Sequence, residues 1–297
     1  MNQDIARIVK SLSLVILDKE TEIKIALTCL LSKGHLLIED LPGMGKTTLA
    51  HALAYTFGLN FQRIQFTNDL LPLDISGSSI YNVKSQSFDF HEGPLFCQLL
   101  LADELNRASP KTQSALLEAM EEHQVTIDKQ TYQLPKPFFV IATQNPKDQF
   151  GTHELPESQL DRFFMRLSLG YPSRNAERLL IENNSNRRAL EQTLFDTQAL
   201  TELQKASQLT ILADVVVDYI LRIVEFTRNT NIVRHGLSPR ASIAMATAAK
   251  TWAFIHDVRY VTPDDVYAIA PFVCAHRLGL TLQEFQQHIL EKIDIGA

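Results

Sequence analysis

Cysteine is scarce in this chain. The three present, Cys29, Cys97 and Cys274, stand far apart in apolar surroundings and in no metal-ligand spacing. That excludes a disulfide-stapled scaffold and a cysteine zinc site, and leaves reduced core residues. Positive charge is not in excess. There are 28 Lys and Arg against 34 Asp and Glu, a formal net charge of -6, so no global basic field draws nucleic acid or an anionic membrane surface. No apolar run is long enough to cross a bilayer. Met1 to Ser13 mixes charge with apolar residues and lacks the uninterrupted apolar core and cleavage site of a secretory signal. A cytoplasmic protein without a membrane span is the expectation. Low-complexity segments and internal repeats are also absent. What remains is 297 residues, 45% hydrophobic and 21% charged, enough to fill the core of one large or two ordinary domains.

The most informative segment is Leu36-Leu37-Ile38-Glu39-Asp40-Leu41-Pro42-Gly43-Met44-Gly45-Lys46-Thr47-Thr48, an apolar strand running through a glycine turn into a helical pattern. A strand feeding such a turn points backbone NH groups and the positive end of a helix dipole at one spot, where a phosphate is stabilised. Pro42 to Thr48 form the candidate nucleotide-binding loop. Lys46 would reach the outer phosphates, and Thr47 would ligate Mg²⁺. The usual spacing of this motif places a glycine where this chain has Asp40.

A partner motif stands at Gln98 to Glu104, an apolar run of strand length ending in two adjacent carboxylates. Successive strand residues face opposite sides, so the two can serve different roles. Asp103 is placed to hold hydrated Mg²⁺, and Glu104 to act as general base on the attacking water.

Helical spacing runs from Asp4 to Ser32, predicting two helices before the first strand. Strand-like segments follow at His35 to Glu39, Asn60 to Phe66, Gln98 to Glu104, Phe138 to Asn145 and Phe163 to Leu169. Their alternation with helical stretches predicts an α/β fold with a parallel sheet covered on both faces. Two small hairpins interrupt it, one within Ile75 to Gly93 and one within Gln124 to Pro135, the second just after a helix seeded by Ser109-Pro110. After Tyr171-Pro172, helical spacing covers Ala176 to Asn183, Asp196 to Ser207, Val215 to Asn229, Pro239 to Ile255 and Pro263 to Cys274. The expected division is a nucleotide-binding core over residues 1–172 and an all-helical domain over 173–297.

Together these elements resemble an AAA+ ATPase, and more closely the MoxR family. The resemblance is densest from Gly34 to Arg166. It rests on Arg63-Ile64-Gln65-Phe66-Thr67, Gly93-Pro94-Leu95-Phe96, Ala102-Asp103-Glu104-Leu105-Asn106-Arg107-Ala108, Lys111 to Glu122, Ala142-Thr143-Gln144-Asn145-Pro146 and Leu155 to Phe163. It implies an AAA+ P-loop core with hairpin insertions followed by a helical lid, binding ATP with Mg²⁺. It further implies that Asn145 senses the attacking water or terminal phosphate, a task that suits an uncharged amide. Arg162 matches the family's arginine finger, which enters the neighbouring subunit's site; the plainer reading is a salt bridge to Asp161 or Glu157, and Arg166 is the substitute candidate. Arg240, in Gly236-Leu237-Ser238-Pro239-Arg240, looks like the second sensor. A cation in the first turn of a helix is misplaced unless an anion lies nearby, and a phosphate would be such an anion. The family's Gly-Gln before the first core helix is replaced here by Val15-Ile16-Leu17-Asp18, which leaves the adenine contacts open.

The function implied by the resemblance is ATP hydrolysis by a homo-oligomeric ring, hexameric in the expected case, that remodels a protein client in a chaperone-like way. Such proteins often work with a partner carrying a von Willebrand factor A domain. Two other readings share the architecture. One is a magnesium-chelatase-like ATPase subunit. The other is a DNA-handling motor, against which the hairpins offer only Lys84 and Lys129 beside Asp89, Glu92 and Asp128.

Overall fold

The structure, a computed structural model, describes residues 3–145, 153, 155–182 and 193–294. Pro146 of the sensor motif and Asn183 of a predicted helix lie outside the described residues. The chain opens with helices α1 (Gln3–Ser13) and α2 (Glu20–Leu31), then β1 (Leu36–Glu39), α3 (Lys46–Thr56) and β2 (Phe61–Gln65). A short helix α4 (Pro72–Ser76) leads to the hairpin β3 (Gly77–Asn82) and β4 (Ser87–Glu92). After β5 (Leu99–Asp103) come α5 (Pro110–Glu122), the hairpin β6 (Gln124–Ile127) and β7 (Gln130–Gln133), β8 (Phe139–Gln144), α6 (Glu157–Leu160) and β9 (Met165–Leu167). The rest is helical: α7 (Arg174–Glu182), α8 (Thr197–Gln208), α9 (Asp214–Asn229), α10 (Pro239–Ile255), α11 (Pro263–Cys274) and α12 (Leu282–His288).

The main sheet has the order β2-β5-β8-β1-β9, with every neighbouring pair parallel. Its central strands are apolar at nearly every position because both faces are covered. Alternation then divides each strand between two cores. Leu36, Ile38, Leu99, Leu101, Phe139 and Ile141 face one cluster; Leu37, Leu100, Ala102, Val140 and Ala142 face the other. The first cluster runs unbroken from Ile5 in α1 through the sheet to Tyr219, Met245, Val273 and Phe285, so the N-terminal helices, one sheet face and the helical region share a core. The second holds α5 and reaches the hairpins, where the Phe90 and Tyr132 rings stack 4.0 Å apart and tie one insertion to the other. Gly77 and Gly93 meet at the base of the first hairpin, where a Cβ on Gly77 would lie 2.7 Å from the Gly93 nitrogen.

Helix limits follow their caps. Ser238 accepts from the Ala241 amide before Pro239, and Thr262 and Asp265 form a reciprocal capping box around Pro263, so α10 and α11 begin and end where the sequence predicts. Helices α4 and α12 are unanticipated, being too short to display a period. The helical region also holds one strand-like contact, a parallel bridge between Ile211 and Tyr260. Among the described residues, no helix is long and apolar enough to cross a membrane.

Two buried histidines brace this framework. His35, just before β1, donates from Nε2 to the Met120 carbonyl (3.1 Å) and accepts on Nδ1 from the Val140 amide (3.0 Å). Burial pushes it down to about 4. His276 donates from Nε2 to the Phe163 carbonyl (3.0 Å), and burial, with Arg277 beside it, holds its pKa well below the usual value. Both are neutral when folded. In the unfolded chain they titrate near about 6.5, so below that pH the unfolded state takes up protons that the folded state refuses. The associated stability is complete above about pH 6.5 and drains away as the pH falls toward 4. His35 alone accounts for about 2 kcal/mol between pH 7 and pH 5. Urea unfolding at the two pH values should register at least that loss; equal free energies would mean that the folded protein accepts the proton at His35.

Candidate functional site

The loop between β1 and α3 is built to receive an anion. Gly43 and Gly45 adopt φ of 86° and 92°, a left-handed conformation that disfavours side chains, and no atom lies within 4 Å of a Cβ placed on either. Gly45 caps α3 without a side-chain hydrogen bond, so no side chain blocks the first-turn amides at the positive end of the helix. Pro42 and Gly43 are exposed, Met44 packs against the core, Thr47 is half-buried at the helix start and Thr48 is exposed. Lys46 is buried, with Nζ donating to the Asp40 carbonyl (2.7 Å). Its pKa is lowered by burial, opposed by the charges of Asp103, Asp40 and Glu104 around it.

Parallel pairing carries the other candidates to the same edge. β1, β8 and β5 are adjacent, so the residues that follow them, Asp40, Asn145 and Glu104, leave the sheet together at the carboxyl ends of the strands. In open α/β sheets this is where ligands bind. Asp103 accepts from Thr143 Oγ1 (2.6 Å) and pairs with Arg63 (2.7 Å). Glu104 sits at φ 57° and ψ 46°, a left-handed setting unusual for a residue with a side chain. Its amide donates to Thr143 Oγ1 (2.9 Å), and its carboxylate accepts from Asn145 Nδ2 (3.2 Å) and lies 3.0 Å from Arg107 Nε. The general-base candidate and the sensor candidate are therefore in direct contact. Among the described residues no cluster of His, Cys, Asp and Glu makes a protein cage for a metal. One carboxylate, Asp103, and one hydroxyl, Thr47, beside a phosphate cradle suit Mg²⁺, which keeps several waters and shares its shell with phosphate oxygens.

Asp40 has a task that the sequence did not disclose. Its buried carboxylate accepts from Ser168 Oγ (2.9 Å), from the Gly170 amide (3.2 Å) and from the Leu169 amide. Where the usual motif has glycine, this chain anchors the segment that follows β9.

The arginine candidates lie elsewhere. Arg162 Nε pairs with Glu121 Oε2 (3.1 Å), rather than with Asp161 or Glu157, and Arg240 Nη2 pairs with Glu121 Oε1 (2.6 Å). In this structure the anion that relieves Arg240 at the start of α10 is a carboxylate at the end of α5. Glu121 follows Met120, whose carbonyl holds His35 at the amino end of β1, and Arg162 precedes β9, which runs parallel to β1 from Met165 opposite Leu36. Both arginines thus lie at the amino ends of the strands, whereas the loop leaves the carboxyl ends. The length of β1 alone separates the arginines from the loop by roughly 10 Å. Arg166 does not join them. It is mostly buried, pairs with Glu39 (3.2 Å) and donates to the Leu280 carbonyl. Arg277, also missed in the sequence, donates to Asp161 Oδ1 (2.8 Å) and the Phe163 carbonyl (2.8 Å), gripping the segment that carries Arg162.

Residues 35–165 match the family model described as ATPase family associated with various cellular activities (AAA), and residues 225–293 match the AAA lid domain. The chain is 46% identical to the Bacillus subtilis protein YeaC over 278 residues, covering 93% of this chain and 87% of that one. It is 39% identical to Chaperone MoxR1 of Mycobacterium tuberculosis, covering 95% and 77%. The chain belongs to the MoxR family of AAA+ ATPases. A crystallised Cytophaga hutchinsonii protein assigned as an ATPase shares the fold, with a TM-score of 0.90, 35% identity and coverage of 99% of this chain and 96% of that one. The three cysteines of this MoxR-family chain are buried, with Cys97 and Cys274 pushed up to about 12, so no thiolate is available for chemistry at neutral pH.

Proposed function

We propose that the protein hydrolyses ATP with Mg²⁺ at sites shared between subunits of a homo-oligomeric ring, and uses the cycle to remodel a protein client. The observation that carries this reading is the separation of the two halves of the site. Lys46, Asp103, Glu104 and Asn145 stand at one end of the sheet, and Arg162 and Arg240 are held side by side on Glu121 at the other. A head-to-tail neighbour brings the halves together.

Pro42 to Thr48 hold the phosphates, Lys46 matching their charge. Thr47 and Asp103 would hold the metal, which would supply positive charge against the phosphate oxygens. Glu104 takes the proton of the attacking water, and Asn145, already bonded to Glu104, orients it. From the neighbour, Arg162 and Arg240 stabilise charge on the transferred group. On this reading residues 1–172 form the nucleotide-binding core and residues 173–297 the helical lid, in a cytoplasmic protein. A protein client fits the first hairpin, whose Ile80, Tyr81, Val83 and Phe88 are exposed with Val83 at 78% and Phe88 at 71%. The relative named Chaperone MoxR1 supports a chaperone-like role. A von Willebrand factor A domain partner belongs to the same proposal.

Assembly is tested by sedimentation of Glu104→Gln protein, with and without ATP and Mg²⁺, across a concentration series. A defined oligomer that grows with concentration is expected. A monomer under every condition would remove the shared site.

A further inference from the structure

We propose that Asp40 is the positioning residue that couples occupancy of the phosphate loop to the setting of the helical lid; the inference rests on the ATPase reading above. Asp40 is held at both ends. Its backbone carbonyl accepts from Lys46 Nζ at 2.7 Å, and its carboxylate accepts from Ser168 Oγ and from the amides of Leu169 and Gly170. Residues 168–170 are the last before Tyr171-Pro172 and α7, the covalent crossing from the sheet into the lid. One residue therefore contacts both the lysine that meets the phosphate and the strand end from which the lid departs.

A second connection lies beside the first. Glu39 accepts from Gln144 Nε2 (3.0 Å), next to Asn145, and pairs with Arg166, whose guanidinium also donates to the Leu280 carbonyl in the lid. The Glu39-Asp40 step thus receives the lid through Arg166 and the crossing segment through the Asp40 carboxylate.

Nucleotide binding acts on this arrangement directly. Phosphate oxygens compete with the Asp40 carbonyl for the Lys46 ammonium, and a change at that carbonyl moves a peptide whose side chain is pinned by three donors. The pinned segment must follow, because leaving the buried Leu169 amide and the half-buried Gly170 amide without an acceptor is costly. A glycine at position 40 would leave the loop free to bind phosphate with no side chain holding residues 168–170, and only the Glu39–Arg166 connection left to the lid. That accounts for a carboxylate where loop geometry asks for none.

The test attaches spin labels to cysteines introduced at exposed Lys111, on α5, and exposed Glu225, on α9, and reads their separation by dipolar spectroscopy with no nucleotide, with ADP and with a non-hydrolysable ATP analogue. Nucleotide affinity is measured in parallel. In otherwise wild-type protein the distance distribution is expected to shift with nucleotide. In Asp40→Gly nucleotide should still bind, within about tenfold of the wild-type affinity, the scale of an ordinary coupling energy, and the distribution should lose most of its response. Asp40→Asn keeps an acceptor oxygen for Ser168 and Gly170 and should retain part of the response. It also decides the question should the glycine variant fail to fold. A full nucleotide response in the glycine variant, or in the asparagine variant where glycine does not fold, overturns the proposal. So does wild-type protein that binds nucleotide with no change in distance. Wild-type protein that binds no nucleotide at all overturns the ATPase reading instead.

Discussion

Glu104→Gln is expected to bind ATP as wild type does and to hydrolyse almost none of it, while Lys46→Ala should fail to bind. The substitutions act on different steps. On the proposed reading Lys46 supplies charge in the ground state, from a buried position among the carboxylates of Asp103, Asp40 and Glu104, which would repel phosphate without the ammonium. Glu104, on the same reading, supplies the base, which matters only when water attacks. Glutamine keeps the shape of the side chain and an oxygen for the Asn145 amide (3.2 Å in the wild-type structure), so the local framework survives while the proton acceptor goes. Removing a general base costs about 10²–10⁴-fold in rate. Equilibrium binding of a labelled nucleotide and steady-state phosphate release separate the two effects. Full turnover in Glu104→Gln, or unchanged affinity in Lys46→Ala, would remove these residues from the site.

The second large effect appears in mixtures. Arg162→Ala protein should bind ATP normally and turn it over about a thousandfold more slowly, as expected for loss of an arginine that stabilises the transferred phosphoryl group. Lys46→Ala protein has a dead loop but an intact arginine surface on Glu121; Arg162→Ala protein has the reverse. Co-assembly then creates complete sites at junctions of the right order, and activity should appear that neither variant has alone. It should rise with protein concentration. Silence despite demonstrated co-assembly, or wild-type turnover by Arg162→Ala alone, would dismiss Arg162. Arg240 would then be tested next, because it shares the same carboxylate, whereas Arg166 is committed to Glu39 and Leu280 inside its own chain.

The strands β1, β5 and β8 are legible in the sequence as apolar runs, which burial on both faces makes continuous, whereas β2 at the sheet edge is exposed at Gln62, Arg63 and Gln65 and offers only Ile64 as a buried residue. The starts of α10 and α11 are legible because Ser238-Pro239 and Thr262-Pro263 carry capping chemistry. The five residues of α4 and seven of α12 give periodicity nothing to work on. The site divides the same way. Lys46, Asp103 and Glu104 follow from local motifs at the ends of strands. The grip of Glu121 on Arg240 spans 119 positions, that of Arg277 on Asp161 spans 116, and that of Asp40 on Leu169 spans 129. Those partnerships are made by the fold and leave no local pattern to read. Arg240 is the clearest case: its awkward place at a helix start does signal a nearby anion, but only the fold, which brings that side chain to Glu121 at the end of α5, reveals which one.

On the proposed reading, the distance between the arginine pair on Glu121 and the loop beyond β1 gives each subunit a donor end and an acceptor end. A line of n such subunits then contains n − 1 complete sites, since the first loop has no arginines facing it and the last arginines have no loop. Closing the line into a cycle supplies the missing site and removes both idle ends at once. Activity per subunit would therefore step upward at closure, so that a subunit's share of catalysis depends on topology as well as on occupancy.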